Sequence, residues 1–209
     1  FQILKYIMAG GVVSLLASLF MYQFSGLIET FLGATSAGIV EETAKLLTAV
    51  FLLRGQAGKR WILNGVAVGA AVGVGFAGFE SAGYIFEAGD RGGVSSLDEA
   101  LVIRAVVSPF CHVVWTAATA GALWRVVHGY GFSMGMFFEW KFLRVFLFVV
   151  MLHMFWNSGL LFSMQGISFV YGWILSILGS WYLILLITQE GLDQVKAAKI
   201  NEPPQTVES

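Results

Sequence analysis

Residues 33–53 read Gly-Ala-Thr-Ser-Ala-Gly-Ile-Val-Glu-Glu-Thr-Ala-Lys-Leu-Leu-Thr-Ala-Val-Phe-Leu-Leu, and their only ionisable side chains are Glu41, Glu42 and Lys45. The run is about as long as a bilayer-crossing helix, which needs roughly 20 apolar residues. A charge at the centre of such a helix costs about 2.5 to 3.5 kcal/mol even on the lenient insertion scale, so ionisable residues at that depth usually serve a function. Lys45 follows Glu41 by four positions and Glu42 by three, so either carboxylate can meet it on one helix face. One negative charge is left over within the segment, and it must be protonated, bind a cation or pair with another helix.

The rest of the chain agrees with a membrane setting. Apolar residues make up 57% of the sequence and Asp, Glu, Lys and Arg only 12%, outside the range of ordinary soluble domains. The net charge of -1 gives no footing for a nucleic-acid partner. Six apolar stretches are long enough to span, near residues 6–24, 34–53, 61–86, 104–127, 142–162 and 167–187. The expected fold class is therefore all-α, a polytopic transmembrane bundle of about six helices. Lys5, Arg54, Lys59, Arg60, Arg125, Lys141, Arg144, Lys196 and Lys199 fall on one side of that arrangement, and only Arg91 and Arg104 on the other. Basic residues favour the cytoplasmic side, so both termini are expected there, with Trp61, Trp124 and Trp140 as interface anchors. Residues 1–189 form the expected membrane domain, and residues 190–209, with Pro203 and Pro204, a polar and partly disordered cytoplasmic tail. The chain opens on Phe1 rather than methionine, so residues upstream are expected, a removed targeting segment among the options.

The first segment holds no buried charge or histidine and reads as scaffold. Residues 25–33 read as a short amphipathic piece on the outer surface, and residues 89–99 as an outward loop. The third segment repeats Gly65, Gly69, Gly73, Ala77 and Ser81 at every fourth position, a small-residue ridge that permits close helix contact and makes this helix central. Glu80 lies next to the ridge. The fourth segment carries Ser108-Pro109-Phe110-Cys111-His112, whose adjacent Cys111 and His112 project about 100° apart and so do not form a direct dyad. Arg104, Asp98 and Glu99 read as outer interfacial charges, and His128 as interfacial at the other end. The fifth segment has His153 and Asn157 one turn apart on one face. The sixth, with Tyr171, Trp173, Trp181 and Tyr182, reads as lipid-facing scaffold.

Depth ties these groups together. At about 1.5 Å per residue, Glu41 and Glu42 lie about 11 Å below the expected outer boundary, Glu80 and His112 about 12 Å and His153 about 13 Å. Two histidines and a carboxylate form a ligand set for catalytic zinc with a fourth position left for water, and a further carboxylate can act as general base. A metal-free variant, with a glutamate activating water and His and Asn donors on the oxyanion, is open too. Buried acids and histidines also suit a proton- or cation-coupled transporter, although the paired broken helices of transporters are not found here. A third option is a non-catalytic scaffold or immunity protein.

Glu41-Glu42-x-x-Lys45, Phe76-x-x-x-Glu80, His112 and His153-x-x-x-Asn157, in this order on successive helices, resemble the PrsW family of intramembrane metalloproteases and, more widely, the CAAX-protease and bacteriocin-processing superfamily. That superfamily has histidine where this chain has Glu80, which favours the PrsW branch. The resemblance implies a multi-pass protease of the prokaryotic cell membrane, zinc-dependent, with its site open to the extracytoplasmic side. Its implied role is a first, site-1-type cut in a single-span membrane substrate such as an anti-sigma factor, as part of stress signalling. On this reading Glu41 or Glu42 is the general base, Glu80, His112 and His153 are the metal ligands, Asn157 orients substrate or stabilises the oxyanion, and Lys45 tunes the acidic pair.

Overall fold

A backbone in hydrocarbon must satisfy its polar groups internally, and helices do so within one segment. The computed structural model describes residues 2–54, 61–127, 132–158 and 167–201, and among them there is no strand. In chain order the helices are α1 (Gln2–Tyr22), α2 (Gly26–Leu32), α3 (Ser36–Leu53), α4 (Ile62–Ser108), α5 (Val114–Arg125), α6 (Trp140–Asn157) and α7 (Ile167–Asn201). Short 3-10 turns at Gly33–Thr35 and Met134–Phe138 precede α3 and α6, and a π-helical segment, Pro109–Val113, precedes α5. Lys59, Arg60, His128, Pro203 and Pro204 lie outside the described residues.

Six spans were expected, and four stretches of the described residues are long and apolar enough to cross a membrane: Gln2–Tyr22, Ile62–Asp98, Trp140–Asn157 and Ile174–Ile200. The other two are exceptions for a physical reason. Helix α3 carries Glu41, Glu42 and Lys45 within its 18 residues. The fourth expected span is divided between the end of α4, the π segment and α5.

Helix α4 corrects the outward loop expected at residues 89–99. Its 47 residues would reach about 70 Å if straight, more than twice the hydrocarbon thickness. It folds back instead at Gly93, whose φ of 71° and ψ of -163° suit a residue without Cβ. The chain stays helical on both sides of that single residue, so the connection is a hairpin tip rather than a loop. The outgoing limb holds Glu80 and the returning limb holds Arg104, and the two side chains meet.

The small-residue ridge does what its spacing predicts. A Cβ on Gly65 would lie 2.5 Å from the Ala120 carbonyl oxygen, one on Gly69 2.5 Å from that of Thr116, and one on Gly73 2.5 Å from that of His112. Each step of four up α4 is matched by a step of four down its partner, which is the register of two antiparallel helices in backbone contact. The last of these contacts fixes the height of His112. Helix α1 is seated just as closely, since a Cβ on Gly11 would come 2.5 Å from the Gly75 backbone.

The main core lies between α3, α4, α5 and α6, with Leu46, Leu53, Val72, Leu123 and Phe142 at 2% exposure or less. Trp124, expected at an interface, is buried in that core against Gly65, whereas Trp140 is exposed and Trp61 partly so. Helix α7 is not lipid-facing scaffold throughout. Ser176, Ser180 and Ile187 are buried while Tyr171 and Tyr182 are exposed. The helix also continues through residues 190–201, where Glu190 pairs with Arg125 at 2.6 Å and Gln194 accepts a bond from the Ile62 amide at 2.9 Å. The latter satisfies an orphan donor at the start of α4. Helix α2 has no buried residue, and Leu27 and Phe31 stand about four-fifths exposed, as suits a short piece lying on a membrane surface.

Candidate active site

Consecutive residues on a helix point about 100° apart, so Glu41 and Glu42 enter different surroundings. Glu42 turns into the bundle and is fully buried. Its Oε1 accepts from Lys45 Nζ at 2.5 Å and from His153 Nδ1 at 2.8 Å. Glu41 turns toward a cavity of about 1010 Å³ at the end of the bundle where α1 finishes and α3 begins. Tyr22, Ser36, Tyr84, Arg104 and Asn157 line that cavity with it.

His112 reaches this level from the π segment, where Pro109 supplies no amide for the helical ladder and the turn is wider than an α turn. Its Nδ1 lies 2.9 Å from Lys45 Nζ and its Nε2 3.1 Å from Glu80 Oε2. Glu80 in turn receives the Arg104 guanidinium, which also donates to Ser81 Oγ at 3.3 Å and sits 4.4 Å over the Tyr84 ring. His153 comes from α6, one turn before Asn157. Its Nε2 is 3.7 Å from Glu41 Oε2, and the two imidazole rings are 5.3 Å apart.

Aromatic residues wall the histidines in. Trp115 packs 5.9 Å from the His112 ring and 4.9 Å from the His153 ring, and its indole N–H donates to Ser180 Oγ on α7 at 2.8 Å. Phe76 lies 5.3 Å from His112 and carries Lys45 Nζ 4.4 Å above its ring. Water is thereby kept from the inner face of the cluster, which strengthens every charge interaction within it.

The candidate site residues Glu41, Glu42, Lys45, Glu80, His112, His153 and Asn157 come to one end of one bundle. The donor atoms of Glu41, His112 and His153 lie within 4.8 Å of one another. Glu80, expected in that trio, stands one contact away through His112, and Glu41, expected outside it, stands within. Two contributors were not foreseen. Tyr22 donates its hydroxyl to Glu41 Oε1 at 3.1 Å from a helix read as scaffold, and no spacing in α1 marks it. Arg104, read as an interfacial charge, is half of a partly buried pair; its being one of only two basic residues on the side expected to face out was the available signal.

A family model described as PrsW family intramembrane metalloprotease matches residues 2–187. The chain belongs to the PrsW family. No curated protein and no solved structure matches it. As a PrsW chain with four apolar crossing helices among its described residues, it is a multi-pass integral membrane protein.

The PrsW name implies a metal, and the side chains fit one. His153 donates from Nδ1 to Glu42, which leaves the Nε2 lone pair facing Glu41 Oε2. Glu41 Oε2 is buried with no hydrogen-bond partner among the described residues. Two electron pairs set face to face in a buried site require a proton or a cation between them. Imidazole and carboxylate together are a zinc-type donor set, and the Glu42 carboxylate behind His153 is the outer partner that metal-binding histidines usually have.

Proposed function

We propose that this protein is an endopeptidase that hydrolyses a peptide bond of a single-span membrane protein, a site-1-type cut in an anti-sigma-factor-like substrate, and that it does so with Zn2+. The observation that carries the reading is the Glu41, His112 and His153 cluster, whose Glu41 has an orphaned oxygen and lines an open cavity. Glu41 Oε2 and His153 Nε2 would hold the ion, and His112 would join them on giving up its contact with Lys45 or Glu80. When bound, the ion supplies Lewis-acid polarisation of the scissile carbonyl and acidifies water.

The protein's own groups do the rest. Two further carboxylates touch the cluster, Glu42, which is fully buried, and Glu80, whose Oε2 Arg104 fixes next to His112; of these Glu80 is the base. It accepts the proton from the attacking water and returns it to the leaving amine. Asn157, on the cavity wall one turn from His153, donates its amide to the developing oxyanion. Glu42 and Lys45 touch no substrate and keep the two histidines in place. Arg54, Arg125 and Lys141 lie at the far ends of α3, α5 and α6 from the cavity, which supports a cavity opening outside the cytoplasm of a prokaryotic cell.

The test is cleavage of a single-span reporter in proteoliposomes, with metal content measured on the same preparations. His153→Ala is expected to lose both zinc and turnover, and Glu80→Gln to keep zinc and lose turnover. Wild-type cleavage by both variants would overturn the assignment.

A metal-free glutamate mechanism has one observation in its favour. Lys45, as an ammonium, can only donate to His112 Nδ1, so Nε2 carries the proton that faces Glu80. In that arrangement His112 offers no free nitrogen, and Glu41 is the base. Full activity after exhaustive chelation would select this version.

A further inference from the structure

Helix α1 carries no member of the four motifs, yet its last residue touches the site. Tyr22 donates to Glu41 Oε1 at 3.1 Å, and Glu41 Oε2 is left buried and without a hydrogen-bond partner among the described residues, 3.7 Å from His153 Nε2. The two oxygens of one carboxylate are thus distinguished. One is held by a phenol on the cavity wall and the other is aimed at the histidines. The phenol's own place is set from below, because Gly10 and Gly11 press α1 against Val72 and Gly75 of α4 without room for a Cβ.

We infer that Tyr22 is a positioning residue of the peptidase: its hydroxyl holds one carboxylate oxygen of Glu41 and so fixes the plane of the carboxylate in which the other oxygen is presented to the ion. This rests on the reading of Glu41 as a metal ligand. A carboxylate with both oxygens unrestrained can rotate about its last torsion, which has broad wells, and a phenol hydrogen bond at one oxygen removes that freedom. Outer partners of this kind typically change metal affinity or activity by about 10- to 100-fold when removed.

The experiment compares wild type, Tyr22→Phe and Glu41→Gln as full chains in proteoliposomes. Three quantities are read: kcat and KM on a single-span reporter, retention of Zn2+ against a graded chelator, and the midpoint of thermal unfolding. Tyr22→Phe keeps the ring and its packing, so its unfolding midpoint is expected to stay within a few degrees of wild type. Its kcat is expected to fall about 10- to 100-fold with KM within about twofold, and Zn2+ to be lost at a chelator concentration lower by a similar factor. Wild-type behaviour of Tyr22→Phe, a change in KM alone, or a lower kcat with unchanged Zn2+ retention overturns the role. The control separates the two readings. If Glu41→Gln loses Zn2+ while Tyr22→Phe does not, only the role of Tyr22 fails; if Glu41→Gln retains Zn2+, the ligand assignment fails and this role with it.

Discussion

Lys45 Nζ lies 2.9 Å from His112 Nδ1 while holding Glu42 Oε1 at 2.5 Å, and the Lys45 side chain is fully buried. One cation thus links a carboxylate on its own helix to a histidine 67 positions away. Removing one partner of a buried pair leaves the other charge uncompensated, at a cost of about 3 to 5 kcal/mol. Lys45→Met is therefore expected to unfold well below wild type in detergent. Lys45→Met with Glu42→Gln removes both charges and is expected to recover part of that loss, so the two changes will not add. Thermal unfolding of the four proteins in the cycle measures this, and strict additivity would show the pair to be inert.

The adjacent glutamates are expected to separate cleanly. Glu41 faces the cavity and Glu42 the interior. Glu42→Gln weakens charge-assisted bonds from Lys45 and His153, each worth about 1.5 to 3 kcal/mol, and should lower the unfolding midpoint. Glu41→Gln should leave the midpoint near wild type and remove reporter cleavage. Equal loss of stability in both variants would contradict the division.

Much of the site was legible because intramembrane charges are rare enough to be conspicuous. Glu41, Glu42, Glu80, His112 and His153 stood out individually, and a count of rise per residue put them at one height. Which face each would take was not legible. Boundaries known only to a few residues leave rotation about a helix axis undetermined, and so Glu41 and Glu80 exchanged places between trio and neighbour. The π segment at Pro109–Val113 adds to this, since a widened turn alters the direction of every side chain after it. The hairpin tip was missed for another reason: residues 89–99 are polar and rich in glycine, which reads as a loop, whereas a single residue, Gly93, makes the reversal. Trp124 shows that proximity to a basic residue does not fix a tryptophan at an interface when a glycine ridge stands opposite to receive it.

That ridge gives a test of the fold independent of any chemistry. A Cβ at Gly69 would meet the Thr116 carbonyl oxygen at 2.5 Å, while a Cβ at Gly78 would meet nothing within 4 Å. Overpacking of a fitted contact costs typically about 1 to 3 kcal/mol, whereas substitutions in open space stay within about 0.5 kcal/mol. Gly69→Val is expected to lower the unfolding midpoint in detergent and Gly78→Ala to leave it unchanged. The reverse order would place another helix against α4.

Arg104 and Glu80 meet across the hairpin from opposite sides of Gly93, and the same Glu80 oxygen faces His112 Nε2. The guanidinium therefore decides how Glu80 is directed, and its support comes from Ser81 Oγ and the Tyr84 ring. A planar fork can bind a carboxylate and a hydroxyl while stacking on a ring, which an ammonium cannot reproduce. Arg104→Met is expected to lower kcat on the reporter by about 10- to 100-fold, in line with the loss of an orienting outer partner. Arg104→Lys should restore charge without the fork and recover only part of that loss. Zn2+ retention should hold in both variants, because Glu80 lies outside the trio of donors. Loss of Zn2+ from Arg104→Met would return Glu80 to the ligand set and leave Glu41 as the base.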